Sequence, residues 1–165
     1  MIRKAVINDI ESIYHLLNDF AAAGYLLSRP LSKLYDNIRN FSVYVDESSG
    51  QVVGCCALAI CWKDLAEIRS LAVRTDWWGQ GIGKRLVESA LAEAASFEIK
   101  KVFVLTYKVD FFASFGFSII DKSELPIKIW SDCITCVKFP DCDETAMAKN
   151  LEHRQIAAES LKSGD

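Results

Sequence analysis

Three glycines alternate at Gly79, Gly81 and Gly83, directly behind Trp77 and Trp78 and directly before the basic pair Lys84 and Arg85. A chain with no side chain at every second position exposes its backbone N–H groups. Where a helix starts immediately behind such a turn, those groups and the positive end of the helix dipole converge on an anion. Glycine permits φ > 0 and lets a diphosphate approach the main chain. Phosphate or pyrophosphate is therefore the ligand this stretch suits, with Lys84 and Arg85 adding charge at the rim. A Walker A loop is excluded, because Lys84 is followed by Arg85 and the glycines stand too close together; a G-x-G-x-x-G fingerprint fails on spacing. A strand-to-helix turn without a ligand would need fewer glycines.

A second constellation is made of thiols. Of six cysteines, Cys55, Cys56 and Cys61 lie in an apolar strand-like run and are expected to behave as small buried hydrophobes. Cys133, Cys136 and Cys142 have one metal-like spacing but no obvious fourth ligand close by, although Asp141 or His153 could serve. A structural zinc there is an alternative; three thiols without metal is the expectation, so no metal site is assigned. In a chain whose first residues, "MIRKAVIND", lack an apolar secretory segment, such cysteine usage points to a reducing cytoplasm.

The elements that must position these groups follow from periodicity. "IRKAVI" reads as a strand, followed by a helix with the apolar stripe Ile10, Ile13, Leu17 and Phe20, opened by a capping-box pair, Asn8 and Glu11, and ended by Gly24. Pro30 starts a short second helix through Leu34, Tyr35 and Ile38. "FSVYVDESSGQVVGCCALAICW" is a hairpin turning at Gly50, and "LAEIRSLAV" is a strand that feeds the glycine turn. Residues 83–97 form a helix with Leu86, Val87, Ala90, Leu91 and Ala94 on one stripe. "KVFVLTY" is a strand buried on both faces, "VDFFASFGF" a short helix broken at Gly116, and "FSII" a further strand. The segment 144–165 is polar and helix-prone, a tail that frays at its end. The order describes one α/β (α+β) domain over residues 1–165, a mixed, mainly antiparallel sheet with helices on both faces.

The composition sets bounds. At 165 residues and 51% apolar, the chain buries one ordinary core. A net charge of −3 argues against sequence-independent nucleic-acid binding. No apolar run reaches the roughly 18 residues of a membrane span.

"EIRSLAVRTDWWGQGIGKRLVESALAEA" resembles the central motif of the GNAT superfamily of acetyl-CoA-dependent N-acetyltransferases, [RQ]-x-x-G-x-[GA] after a strand ending in "LAV". The resemblance runs from Ile2 to about Ile120. It departs at Trp78, which stands where the family has Arg or Gln. The resemblance implies acetyl-CoA as co-substrate. Its pantetheine arm would pair along Leu71, Ala72 and Val73, and its pyrophosphate would lie on the amides from Trp78 through Gly79, Gln80, Gly81, Ile82 and Gly83 to Lys84. Acetyl transfer to an ammonium needs a base, and a partly desolvated carboxylate can serve. Glu67 matches the general-base glutamate of the histone-acetylating branch; an ordinary solvated strand glutamate is the plainer alternative. The family's acidic tyrosine is replaced by Phe112, which leaves Thr106, Tyr107, a water or an unassisted thiolate to complete the reaction.

"GYLLSRPLSKLYDNIRNF" with "KVFVLTYKVDFFASFGF" is similar to the acetyltransferase domain of N-acetylglutamate synthases, in the short form that lacks a kinase domain; those synthases also carry Phe at the position of Phe112. This implies acetylation of the α-amino group of L-glutamate, in arginine biosynthesis. Carboxylates call for fixed cations. Arg29 matches a basic substrate-binding residue of that family; Arg69, on the same strand face as Glu67, is the second candidate, Lys108 the third and Lys138 the fourth. The expected partners are small molecules, acetyl-CoA and L-glutamate, with no nucleic acid and no membrane; a homodimer is compatible with this reading. Another small amine, amino acid or protein N-terminus as acceptor, or a CoA-binding module without turnover, are the alternatives.

Overall fold

The alternating strand Phe41–Val45 (β2) and the continuously apolar strand Val52–Trp62 (β3) form an antiparallel pair, in register from Phe41↔Ala57 to Tyr44↔Gly54. In the computed structural model, which describes residues 1–24, 30–126 and 144–151, the connecting turn is tied by Asp46. Its carboxylate accepts the hydroxyls of Ser48 and Ser49 at 2.9 and 2.6 Å, and Gly50 supplies φ +72°. Ile2–Lys4 (β1) pairs antiparallel with β2. Leu65–Val73 (β4) and Lys101–Thr106 (β5) run parallel, in register from Leu65↔Lys101 to Glu67↔Phe103. With Ser118–Ile119 (β6) and Thr145–Asn150 (β7), the sheet has seven strands in the order β1-β2-β3-β4-β5-β7-β6. It is mostly antiparallel and flanked by helices, the mixed α/β architecture expected.

Contacts divide the chain into two units, Met1–Ala59 with Ile68–Glu93, and Ile60–Glu67 with Ala94–Asp165. In the first, helix α1 (Ile10–Ala22) buries Ile10, Ile13, Leu16, Leu17 and Phe20 in one cluster with Phe41, Val43, Val45, Cys55, Ala57 and Ala72. Helix α2 (Leu31–Asp36) begins at Pro30, as expected, and is anchored in the same cluster by Leu34. Helix α3 (Ile82–Ser96) buries Leu86, Val87 and Ala90 in this unit, and Leu91 is half-buried. In the second unit, Leu65, Phe103, Leu125, Ala146 and Ala148 form a cluster. Helix α4 (Val109–Ala113) buries Phe112 between Phe111 and Phe117, at ring-centroid distances of 5.1 and 5.4 Å.

Two local expectations need correction. The segment 144–165 does not begin as a helix: residues 145–150 are strand β7, hydrogen-bonded to β5 on one side and β6 on the other. Its sequence, "TAMAKN", is rich in helix formers. Ala146, Met147 and Ala148 nevertheless bury both faces of the strand, and six registered pairs with β5 override intrinsic preference. Residues 152–165 lie outside the described part. At the start of α1, the expected pairing of Asn8 with Glu11 is replaced by Asp9, whose carboxylate accepts the Val6 N–H at 2.8 Å and both Arg3 nitrogens at 2.7 and 3.0 Å. Arg3, reaching from β1, supplies the cation that draws Asp9 inward, a tertiary contact that the local sequence pattern does not show.

Candidate functional site

The glycine turn opens with a single 3-10 turn, Thr75–Trp77, whose last step sends the Trp78 N–H to the Thr75 carbonyl at 3.2 Å. The Trp78 indole N–H donates to the Val73 carbonyl at 2.7 Å, and its ring leans on Phe20 at 6.2 Å. Both N–H groups of Trp78 are thus used inside the protein. Trp78 braces the turn, and direct donation to an anion falls to the residues after it. Gly79 and Gly81 adopt φ +83° and +76°, with nothing within 4 Å of where a Cβ would stand. The left-handed backbone requires glycine there, and the space over the turn is open. Helix α3 then begins, with Arg85 N–H on the Gly81 carbonyl at 3.1 Å. Among the described residues, the N–H groups of Gly79, Gln80, Gly81, Ile82, Gly83 and Lys84 donate to no backbone carbonyl. An anion is what such a row of donors at a helix start accepts. Lys84, two-thirds exposed, stands 4.0 Å from Glu88, and Arg85 reaches the Tyr44 hydroxyl at 3.3 Å.

Below the turn, Gly54 of β3 lets α3 sit close. A Cβ at position 54 would meet Leu86 at 3.1 Å, Ile82 at 3.3 Å and the Ala72 carbonyl at 3.4 Å. The Ala72 carbonyl therefore faces β3. Of the three β4 residues expected to pair with a strand-like ligand, Leu71 and Val73 are the ones whose backbone alternates to the other side. The Val73 carbonyl already holds the Trp78 indole, which leaves its N–H and a second lone pair.

Strand β4 carries a local irregularity. From Ala66 to Arg69 it alternates, with Glu67 and Arg69 half-buried around the fully buried Ile68. Ser70 then takes φ +55°, rare for a residue with a Cβ, and the alternation is lost through Leu71. The Cys55 thiol lies 3.4 Å from the Ser70 carbonyl and donates to it. Burial pushes the thiol pKa of Cys55 up, and that of Cys56 to about 12, so both stay protonated, the inert thiols expected of buried cysteines. Arg69 and Ser70 line a small depression whose floor is Leu34, Phe41 and Ala57.

In the second unit, Glu67 closes the β4–β5 ladder opposite Phe103. The buried Thr106 hydroxyl accepts the Lys108 backbone N–H at 2.9 Å, and Lys108, exposed, caps α4. Phe112 is 3% exposed and belongs to the aromatic cluster, so a buried phenyl ring fills the position at which the family has its tyrosine. Arg29, Lys138 and the cysteines Cys133, Cys136 and Cys142 lie outside the described residues; among those described, no group of His, Cys, Asp and Glu could hold a metal. Three supports escaped the sequence reading: Ser70, Cys55 and Gly54. Gly54 had a signal, since a glycine inside an apolar strand marks a close backbone approach. Ser70 had none.

Residues 10–117 match the model of the acetyltransferase (GNAT) family. The chain is 41% identical over 150 residues to an uncharacterised N-acetyltransferase of Chlorobaculum tepidum, covering 91% of this chain and 96% of that protein. It is 35% identical over 133 residues to an amino-acid acetyltransferase of Mycobacterium tuberculosis, 80% of this chain and 76% of that protein. Among solved structures, it superposes with a TM-score of 0.83 on the N-acetylglutamate synthase of Neisseria gonorrhoeae complexed with coenzyme A and N-acetyl-glutamate, at 28% identity. That match covers 92% of this chain and 35% of the longer synthase.

Proposed function

The chain belongs to the GNAT acetyltransferase family and is an acetyl-CoA-dependent N-acetyltransferase, and from that premise we propose that its acceptor is the α-amino group of L-glutamate, with Glu67 as general base. Such a reaction supplies the first acetylated intermediate of arginine biosynthesis. The likeness to a synthase crystallised with coenzyme A and N-acetyl-glutamate carries the reading, at a TM-score of 0.83. The half-buried Arg69, a guanidinium able to fork onto a carboxylate, supports it from within the site.

The pyrophosphate of acetyl-CoA rests on the amides of Gly79 to Lys84, and the pantetheine arm pairs with the backbone of Leu71 and Val73. The acceptor arrives as an ammonium. Glu67 takes one proton, the freed lone pair attacks the thioester carbonyl, and the tetrahedral adduct gives up its second N–H proton to water as it collapses with coenzyme A leaving as a thiolate. That thiolate takes a proton from Thr106, Tyr107 or a water. Arg69 and Lys108 hold acceptor carboxylates, joined by Arg29.

The test is release of free thiol from acetyl-CoA with L-glutamate, L-aspartate, L-glutamine and spermidine as acceptors. Selective turnover of glutamate is expected. Preference for spermidine would remove the assignment, and binding of acetyl-CoA without turnover of any acceptor would make the chain a coenzyme-binding module.

A further inference from the structure

The depression that holds Arg69 and Ser70 has a second wall, which the reading above leaves unused. Lys33, Asn37 and Asn40 line it from α2 and the turn that follows. The end of α2 and the 3-10 turn behind it bring the three to one depression, and the Asn37 carboxamide is held in place by donating to the Lys33 carbonyl at 2.8 Å. The buried Leu34, between them in sequence, fastens α2 to the core, so these polar side chains sit on a fixed support. The described lining residues bring two cations, Lys33 and Arg69, and no carboxylate. Among the described residues no acidic side chain lies within ion-pair distance of Lys33.

Two cations and two carboxamides around a shallow depression with room for little more than one small polar group suit the terminal carboxylate of an acceptor. The same charges repel a polyamine. We propose that Lys33, with Asn37 and Asn40, forms the subsite that recognises the side-chain carboxylate of the acceptor, and so determines selection of an acidic over a neutral amino acid. This rests on the acceptor reading above. It adds that α2 is the specificity element.

Lys33 is exposed, so its replacement leaves the core untouched. In steady-state assays on the full chain, Lys33→Gln is expected to raise the KM for L-glutamate about ten- to a hundredfold, the effect of one lost charged hydrogen bond. The KM values for L-glutamine and acetyl-CoA stay as in the parent, and Lys33→Arg restores glutamate. An unchanged glutamate KM, or an equal rise for glutamine, overturns the proposal. Calorimetric titration of glutarate, a dicarboxylate with no amine, into the protein with coenzyme A separates this idea from the choice of acceptor. Binding weakened by Lys33→Gln supports the subsite even where no amino acid turns over. No binding, or binding indifferent to position 33, overturns it.

Discussion

Single residues carry the two acid–base features that can be tested directly. Glu67 stands half-buried at the last registered pair of β4 with β5, a carboxylate on a rigid strand. Replacing it with the isosteric amide removes proton acceptance while keeping the size of the side chain. Glu67→Gln is expected to lower kcat about 10²- to 10⁴-fold while the acetyl-CoA Kd, measured by calorimetry, stays within error; a loss confined to coenzyme affinity would refute the base assignment. Asp9 is a structural counterpart. Burial by itself pushes its carboxyl pKa up, but hydrogen bonds from Arg3 and the Val6 N–H, with the Arg3 charge, outweigh that and hold it below the ordinary value. A carboxylate whose folded pKa is depressed contributes stability in full above its unfolded pKa of about 3.9, and loses it as pH falls through the folded value. Asp9→Asn should therefore cost about 1–3 kcal/mol at neutral pH and make stability less sensitive to acid below about pH 4, read as urea midpoints across pH.

At the scale of elements, the strand–turn–helix from β4 to α3 is the unit that makes an anion site. Trp78 illustrates a substitution whose meaning only the fold discloses. Where related chains have a basic or amide side chain, its indole closes onto the Val73 carbonyl and Phe20, so the turn is stiffened while its cation is absent. Gly81, at φ +76°, is the most direct test of the turn. Gly81→Ala has room for its methyl group but not the backbone conformation, at a cost of about 1–2 kcal/mol. The expected outcome is weaker acetyl-CoA binding by calorimetry with a smaller effect on acceptor KM; unaltered coenzyme affinity would move the diphosphate elsewhere. The periodicity of α1, α3 and β3 is plain in the sequence because each buries one stripe or both faces. The left-handed kink at Ser70 is not, because a serine has no intrinsic preference for it and the Cys55 thiol and the surrounding strands impose it.

For the whole molecule, the C-terminal strand is where sequence and structure diverge most. Strand β7 lies between β5 and β6 and buries Met147 to 1% exposure. Met147→Ala is expected to cost about 2–5 kcal/mol in chemical denaturation, far more than a change in a fraying helical tail; an effect under about 0.5 kcal/mol would contradict its place in the sheet. Hydrophobic period and turn chemistry are local quantities, so most strands and helices and the glycine turn could be read along the chain, whereas Glu67 as candidate base came from the family resemblance alone. Long-range pairing is not local. Burial between β5 and β6 made a strand of "TAMAKN", Arg3 drew Asp9 inward, the Trp78 side chain turned to Val73, and the packing of α2 brought Lys33 to the depression that holds Arg69. For "TAMAKN", pairing with a strand distant in the chain outweighed a helix preference of a few tenths of a kcal/mol to about 1 kcal/mol per residue.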